Sequence, residues 1–278
     1  MTITTDKSVQ TATILQKACV LTLFCTYLGN NRKVELPDVV KASTGNVLET
    51  ELPDGPESKV DADQFHVTKR LIPAKEITPV TRVQGKAKAL LRAKSIATHR
   101  VFGEGSYMIP LALVEEVDAG LVLLEAELRA EARKLARERY AAAVNQQEAK
   151  LGPLFRRGDY LSLDEVERAF SIDWAYVSFA APENLETVSH ALALAAHRKH
   201  ETRLAAAFDE VIVGLRARAL DVMSDLFNRL ETRTDGKRPI IFGTALRDLQ
   251  EFQQLLPKLN VGGDDELAAV MARVEART

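Results

Sequence analysis

The stretch from Pro110 to Lys150, PLALVEEVDAGLVLLEAELRAEARKLARERYAAAVNQQEAK, constrains the fold more than any other part of the chain. It has no proline after its first residue and one internal glycine, Gly120. Ala, Leu, Glu and Arg dominate it, and these lose little side-chain freedom in a helix. Val114, Val117, Leu121, Leu124, Leu128 and Leu135 follow a 3-4 spacing, the seam of a coiled-coil-like helix. Pro110 suits the first helical position, where a missing N–H costs nothing. At 1.5 Å per residue, about forty residues make a rod of roughly 60 Å. Such a rod needs a second helix to cover its stripe.

Residues 183–232 supply a candidate. Leu204, Phe208, Val211, Leu215, Val222 and Leu226 approximate an eleven-residue repeat, which predicts a rod that runs straight or slightly right-handed. Gly214, mid-helix, predicts close approach by another backbone. The expected fold class is mostly α (α+β): a long antiparallel coiled-coil-like helix pair with a small antiparallel sheet at one end.

Strands are expected at 18–28, 32–36, 105–109 and 171–180, the first two joined at the Gly29-Asn30-Asn31 turn. The strand at 18–28 carries apolar side chains on both alternations, as in a strand covered on both faces. Thr78-Pro79 reads as an N-cap and first turn opening a helix. Ser162 and Glu165 form a capping-box pattern for a short helix to Phe170. Leu246, Leu249, Phe252 and Leu256 mark the inner face of a helix over 244–256, and Asp264 or Asp265 caps a last one ending near Arg277. Three segments follow: 1–109 with the strands, an acidic loop and a basic helix; 110–238 with the helix pair and an insertion at 151–182; and 239–278 with the C-terminal helices.

A net charge of −2 gives no whole-molecule bias toward nucleic acid or membrane, so such a signal must be local. One is present. Residues 35–63 hold eight acidic side chains against Lys41 and Lys59, whereas from Lys69 to Arg100 nine basic residues face one acid, Glu76. Arg82, Lys86, Lys88, Arg92 and Lys94 lie on the helix predicted at 78–100 and are the candidate site for nucleic acid or an acidic partner. The competing reading has the acidic tract fold over this helix and neutralise it. Aromatic residues that would stack bases are nearly absent.

Catalytic patterns are missing: there is no GxSxG, CxxC, HExxH or GxxxxGK[ST]. Gly103 and Gly105 read as a turn before a strand, with only a weak phosphate-loop resemblance. His190, His197 and His200 share one helix without a matching carboxylate or cysteine motif and read as a solvated face. No catalytic residue, metal ligand or cofactor is expected. Cys19 and Cys25, six residues apart on one strand, stand about 20 Å apart at 3.3 Å per residue, beyond disulfide reach; buried free thiols are expected. No run of eighteen apolar residues exists to span a membrane. Thr22 and Thr26 interrupt the N-terminal apolar stretch, which lacks a cleavage site for a signal peptide. A cytoplasmic protein without membrane association is expected.

Three stretches carry a family resemblance: CVLTLFCTYLGNNRKVEL, the basic helix followed by GEGSYMIPLALVEEV, and LRDLQEFQQLLPKLNVGGDDEL. With these the chain resembles a family of uncharacterised bacterial and phage proteins encoded beside MoxR-type AAA ATPases. The resemblance implies a helical accessory protein working with an ATPase ring and a metal-dependent adhesion-type partner domain. It supplies no catalytic residues. The functional expectation is a non-enzymatic scaffold that forms a homo-oligomer through its rods. The alternative is a phage-type single-strand binding or annealing protein using the basic helix.

Overall fold

The structure, a computed structural model, describes residues 16–34, 67–177, 187–231 and 243–276. The acidic tract at 35–63 lies outside the described residues, as do the expected ends of the strands at 36 and 180. The fold is mostly helical with a small antiparallel sheet. Two compact units are assembled from non-contiguous stretches: residues 1–24, 87–122 and 173–278 in one, 25–86 and 123–172 in the other.

The larger sheet has the order β4 (Ile96–Ala97), β5 (Ser106–Pro110), β1 (Ala18–Thr26), β6 (Ser171–Val177). β1 and β5 are antiparallel, Ala18 opposite Pro110 and Thr22 opposite Ser106; β5 continues to β4 with Met108 opposite Ile96. Val20 and Leu21 point to opposite faces of β1 and both are fully buried, as expected of a strand covered on both sides. Gly105 makes this sheet possible. Its φ is +81°, and a Cβ there would stand 2.6 Å from the Leu23 carbonyl oxygen. The Leu23 N–H donates to the Gly105 carbonyl at 2.9 Å. Turn geometry and strand approach thus account for the glycine pair.

In the first unit the long helix α6 (His190–Glu231) buries Leu204, Phe208, Val211 and Leu215, four of the six seam residues read from the sequence, whereas Val222 is half-covered. It packs on α7 (Gly243–Leu259), on the short α2 (His99–Phe102) and on β4. Leu249, Phe252 and Leu256 of α7 are buried as expected, with Leu259 beside them. α8 (Asp265–Glu275) starts at the cap Asp264, whose carboxylate accepts from the Leu267 N–H. The neighbour nearest Gly214 is not a backbone, as its position suggested, but the Ile96 side chain, whose Cγ2 stands 3.1 Å from where a Cβ would be, a tight contact rather than an overlap.

In the second unit β2 (Asn31–Val34) pairs antiparallel with β3 (Val67–Arg70) in a separate two-stranded sheet, Asn31 opposite Arg70. This corrects the expectation that residues 32–36 return along β1: the turn at 29–31 hands the chain to a strand more than thirty residues away. Asn30 fixes the exit from β3. Its side chain accepts from the Ile72 N–H at 2.8 Å and donates to the Ile72 carbonyl at 2.9 Å. The basic helix α1 (Ala74–Lys94) begins directly after, four residues earlier than Thr78-Pro79 suggested. Pro79 therefore lies inside it, and the Thr78 hydroxyl donates back to the Ala74 carbonyl at 2.9 Å rather than capping.

The central rod is real but starts at Leu111; Pro110 closes β5 instead of opening the helix. It comprises α3 (Leu111–Lys134), one π turn (Leu135–Arg139) and α4 (Tyr140–Leu151). Val117, Leu121, Leu128 and Leu135 are buried, whereas Val114 and Leu124 are half-covered. One neighbour that the side chains of α3 reveal is α1. In the first unit Lys94 meets Glu116 at 2.9 Å, and Leu90 lies over Gly120, where a Cβ would come within 2.6 Å of it. In the second, Lys86 meets Glu127 at 2.6 Å. Numbers rise along α3 as they fall along α1, so the two run antiparallel. The helix expected to cover the rod, α6, has α7, α2 and β4 as its principal neighbours. The capping box forms as read: Ser162 and Glu165 exchange both bonds at the start of α5 (Leu163–Arg168).

Candidate interface on the basic helix

α1 buries Val80, Val83, Gln84, Ala87 and Leu91, a 3-4 stripe that fixes which cations face outward. Gln84 is the polar member of this stripe. Its Nε2 donates to the Thr26 carbonyl at 2.7 Å and the Ser171 carbonyl at 3.1 Å, at the ends of β1 and β6. The five candidate cations divide into two groups. Lys86 and Lys94 are paired with Glu127 and Glu116 of α3, and Lys88 is half-buried and engaged by the protein. Arg82 and Arg92 are exposed and have no ion-pair partner among the described residues. Two carboxylates of the neighbouring rod thus do part of the neutralising that the sequence reading gave to the acidic tract. Among the described residues, Arg82 in the second unit and Arg92 in the first are the candidate cations that no carboxylate holds.

Other acidic residues of the rod pair along it. Glu125 binds Arg129, and Glu131 binds Lys134 at 2.7 Å. The hydrogen bond from Lys134 holds the Glu131 carboxyl below its ordinary range, assisted by Arg139 and Lys86. These pairs lie along one helix in contact with solvent, which screens them and keeps their contribution small.

The second surface of interest lies on α6, opposite its buried seam. Val213 and Leu220 are 64% and 60% exposed, and Ala206, Ala217 and Ser224 are exposed with them. Ala206, Val213 and Leu220 are spaced by seven, so they form one row along a helix of about 63 Å.

The first unit also holds a polar junction that the sequence reading did not single out. Asp118 of α3 accepts from Trp174 Nε1 and from the Tyr176 hydroxyl, both at 2.9 Å on the same Oδ1. Residues 174 and 176 alternate onto one side of β6, and that period-two pattern was the available signal. Burial, then the Asp118 bond and charge, pushes the Tyr176 hydroxyl well above its ordinary pKa.

His190 and His197 are exposed on α6 and His200 is half-buried. Among the described residues no group of three or more His, Cys, Asp or Glu side chains is placed to hold a metal ion. Cys19 and Cys25 form no disulfide; both are half-buried rather than fully buried, and burial pushes the Cys19 thiol up. Among the described residues no helix is long and apolar enough to cross a membrane. No family model matches the chain, and neither curated proteins nor solved structures show a significant similarity to it.

Proposed function

We propose that the protein is a non-enzymatic interaction or scaffold protein that self-associates through α6. In keeping with the resemblance to proteins encoded beside MoxR-type ATPases, it acts as a cytoplasmic accessory of an AAA ATPase. The supporting observation is the exposed row of Ala206, Val213 and Leu220 on the face of α6 that its own unit leaves uncovered. The occupant is a second copy of the same helix. In an antiparallel pair with a two-fold axis between Arg216 and Ala217, Val213 of one copy meets Leu220 of the other, and the small Ala217 sits at the crossing. A long antiparallel helix pair is then formed between two copies of α6. Sedimentation velocity across micromolar concentrations tests the reading: a concentration-dependent dimer supports it, and a monomer throughout overturns it.

A second reading, nucleic-acid binding by α1, is favoured by Arg82 and Arg92, which have no ion-pair partner among the described residues. It expects an affinity for single-stranded oligonucleotide that falls steeply with salt and is lost in Arg82→Glu/Arg92→Glu. Unchanged binding in that variant, or none by the native chain at low salt, would remove it.

A further inference from the structure

The strongest unassigned feature lies in the second unit, where β2, β3, the start of α1 and the end of α4 enclose a groove of about 480 Å³. Asn31, Thr68, Arg70, Lys75, Gln147 and Lys150 line it with Pro73 and Ala74. Three of these are cations and none is a carboxylate. Local structure explains the arrangement. Along β3, Thr68 and Arg70 alternate onto the exposed side, whereas Lys69 turns inward and is held by Asp159 at 2.6 Å and the Leu154 carbonyl at 2.6 Å. The Asn30 clamp brings the first turn of α1 to the same place, adding backbone N–H groups and the positive end of the helix dipole. Gln147 and Lys150 are one turn apart on α4 and face in together.

Gln147 is the residue that points to a ligand. It is only 7% exposed and lines the groove, yet its amide has no hydrogen-bond partner among the described residues. The amide opens onto the groove, where it can donate to an acceptor oxygen of a bound molecule. Arg70 and Lys150 have no ion-pair partner among the described residues, and Lys75 has only a 3.7 Å contact to Glu76. The volume falls in the range of small-molecule sites.

We propose that this groove binds a small pyrophosphate-bearing molecule. Three cations match the charge of two linked phosphoryl groups, with Arg70 offering two parallel N–H donors. The Gln147 amide, the Asn31 amide and the Thr68 hydroxyl supply neutral donors, and the N-terminus of α1 receives one phosphoryl group. The site is independent of the self-association surface.

Isothermal titration of the full chain with inorganic pyrophosphate tests this, with inorganic phosphate and a short single-stranded oligonucleotide as parallel arms. Pyrophosphate is expected to bind at least tenfold more tightly than phosphate. Arg70→Ala and Lys150→Ala, both at exposed positions, are expected to weaken it at least tenfold each without changing the circular dichroism spectrum. Arg82→Ala, outside the groove, is expected to leave it unchanged. Three results would overturn the proposal: no heat at millimolar pyrophosphate, equal loss in Arg82→Ala, or binding of the oligonucleotide alone.

Discussion

Arg216 and Asp264 form a two-bond ion pair between α6 and the start of α8, Nε to Oδ2 at 2.5 Å and Nη2 to Oδ1 at 3.0 Å. The same carboxylate caps α8 through the Leu267 N–H at 3.1 Å, and Arg216 reaches on to Glu266 at 3.0 Å. Asp264 also receives support from Asn260, whose Oδ1 accepts from the Asp264 N–H at 2.7 Å. One side chain therefore joins helix capping to helix docking. Asp264→Ala is expected to cost about 1 kcal/mol for the cap alone, and more with the pair, as read from urea unfolding.

That pair also sets an acid limit. The Arg216 hydrogen bond holds the Asp264 carboxyl below its ordinary range. A depressed carboxylate contributes stability that is fully present above its unfolded pKa and is lost as pH falls through the folded one. The native chain is therefore expected to lose stability below about pH 4, where unfolded aspartate titrates. Asp264→Ala is expected to show a flatter dependence in that range. Parallel curves for the two proteins would contradict the assignment.

The glycines separate by what surrounds them. Gly105→Ala combines a left-handed backbone with overlap on the Leu23 carbonyl, so a loss of roughly 2 kcal/mol or more is expected. Gly103 has φ +94° but open space, and Gly103→Ala is expected to cost less. Gly85 lies inside α1 with nothing within 4 Å, so Gly85→Ala is expected to stabilise by up to about 1 kcal/mol. Thermal melts of the three variants check the order.

Tyr176 titrates in the opposite sense to Asp264. Its raised hydroxyl pKa means that its contribution is fully present below the unfolded tyrosine pKa and is lost as pH rises through the folded value. Tyr140 and Tyr160 are raised by burial too, so ultraviolet titration is expected to show several late tyrosines, of which the last is absent from Tyr176→Phe. Asp118→Ala is expected to bring that tyrosine down and to shift Trp174 emission, because both donors share Asp118 Oδ1.

The features readable in the sequence were the ones set by local periodicity. The 204–208–211–215 seam, the Leu249–Phe252–Leu256 face, the Ser162–Glu165 box and β1, β5 and β6 all follow from spacings within a few residues. What escaped depends on distant partners. β3 is four residues with two charges at its end, and it is a strand because Asn31 to Val34 pair with it. Residues 78–79 mimic a helix start, yet the Asn30 clamp on Ile72 sets the true one. Of the candidate site, all five cations fall on one helix as read, but their pairing with Glu116 and Glu127 required knowing that α1 lies along α3. A seam announces that a partner exists without saying which.

The central claim is self-association through the outer row of α6, and sedimentation velocity of the native chain beside Val213→Glu/Leu220→Glu tests it most directly. Both side chains are exposed, so the double variant should fold with an unchanged helical spectrum. The expected result is a dimer for the native chain and a monomer for the variant at the same concentrations. A native monomer, or a dimer that survives both charges, would contradict the account.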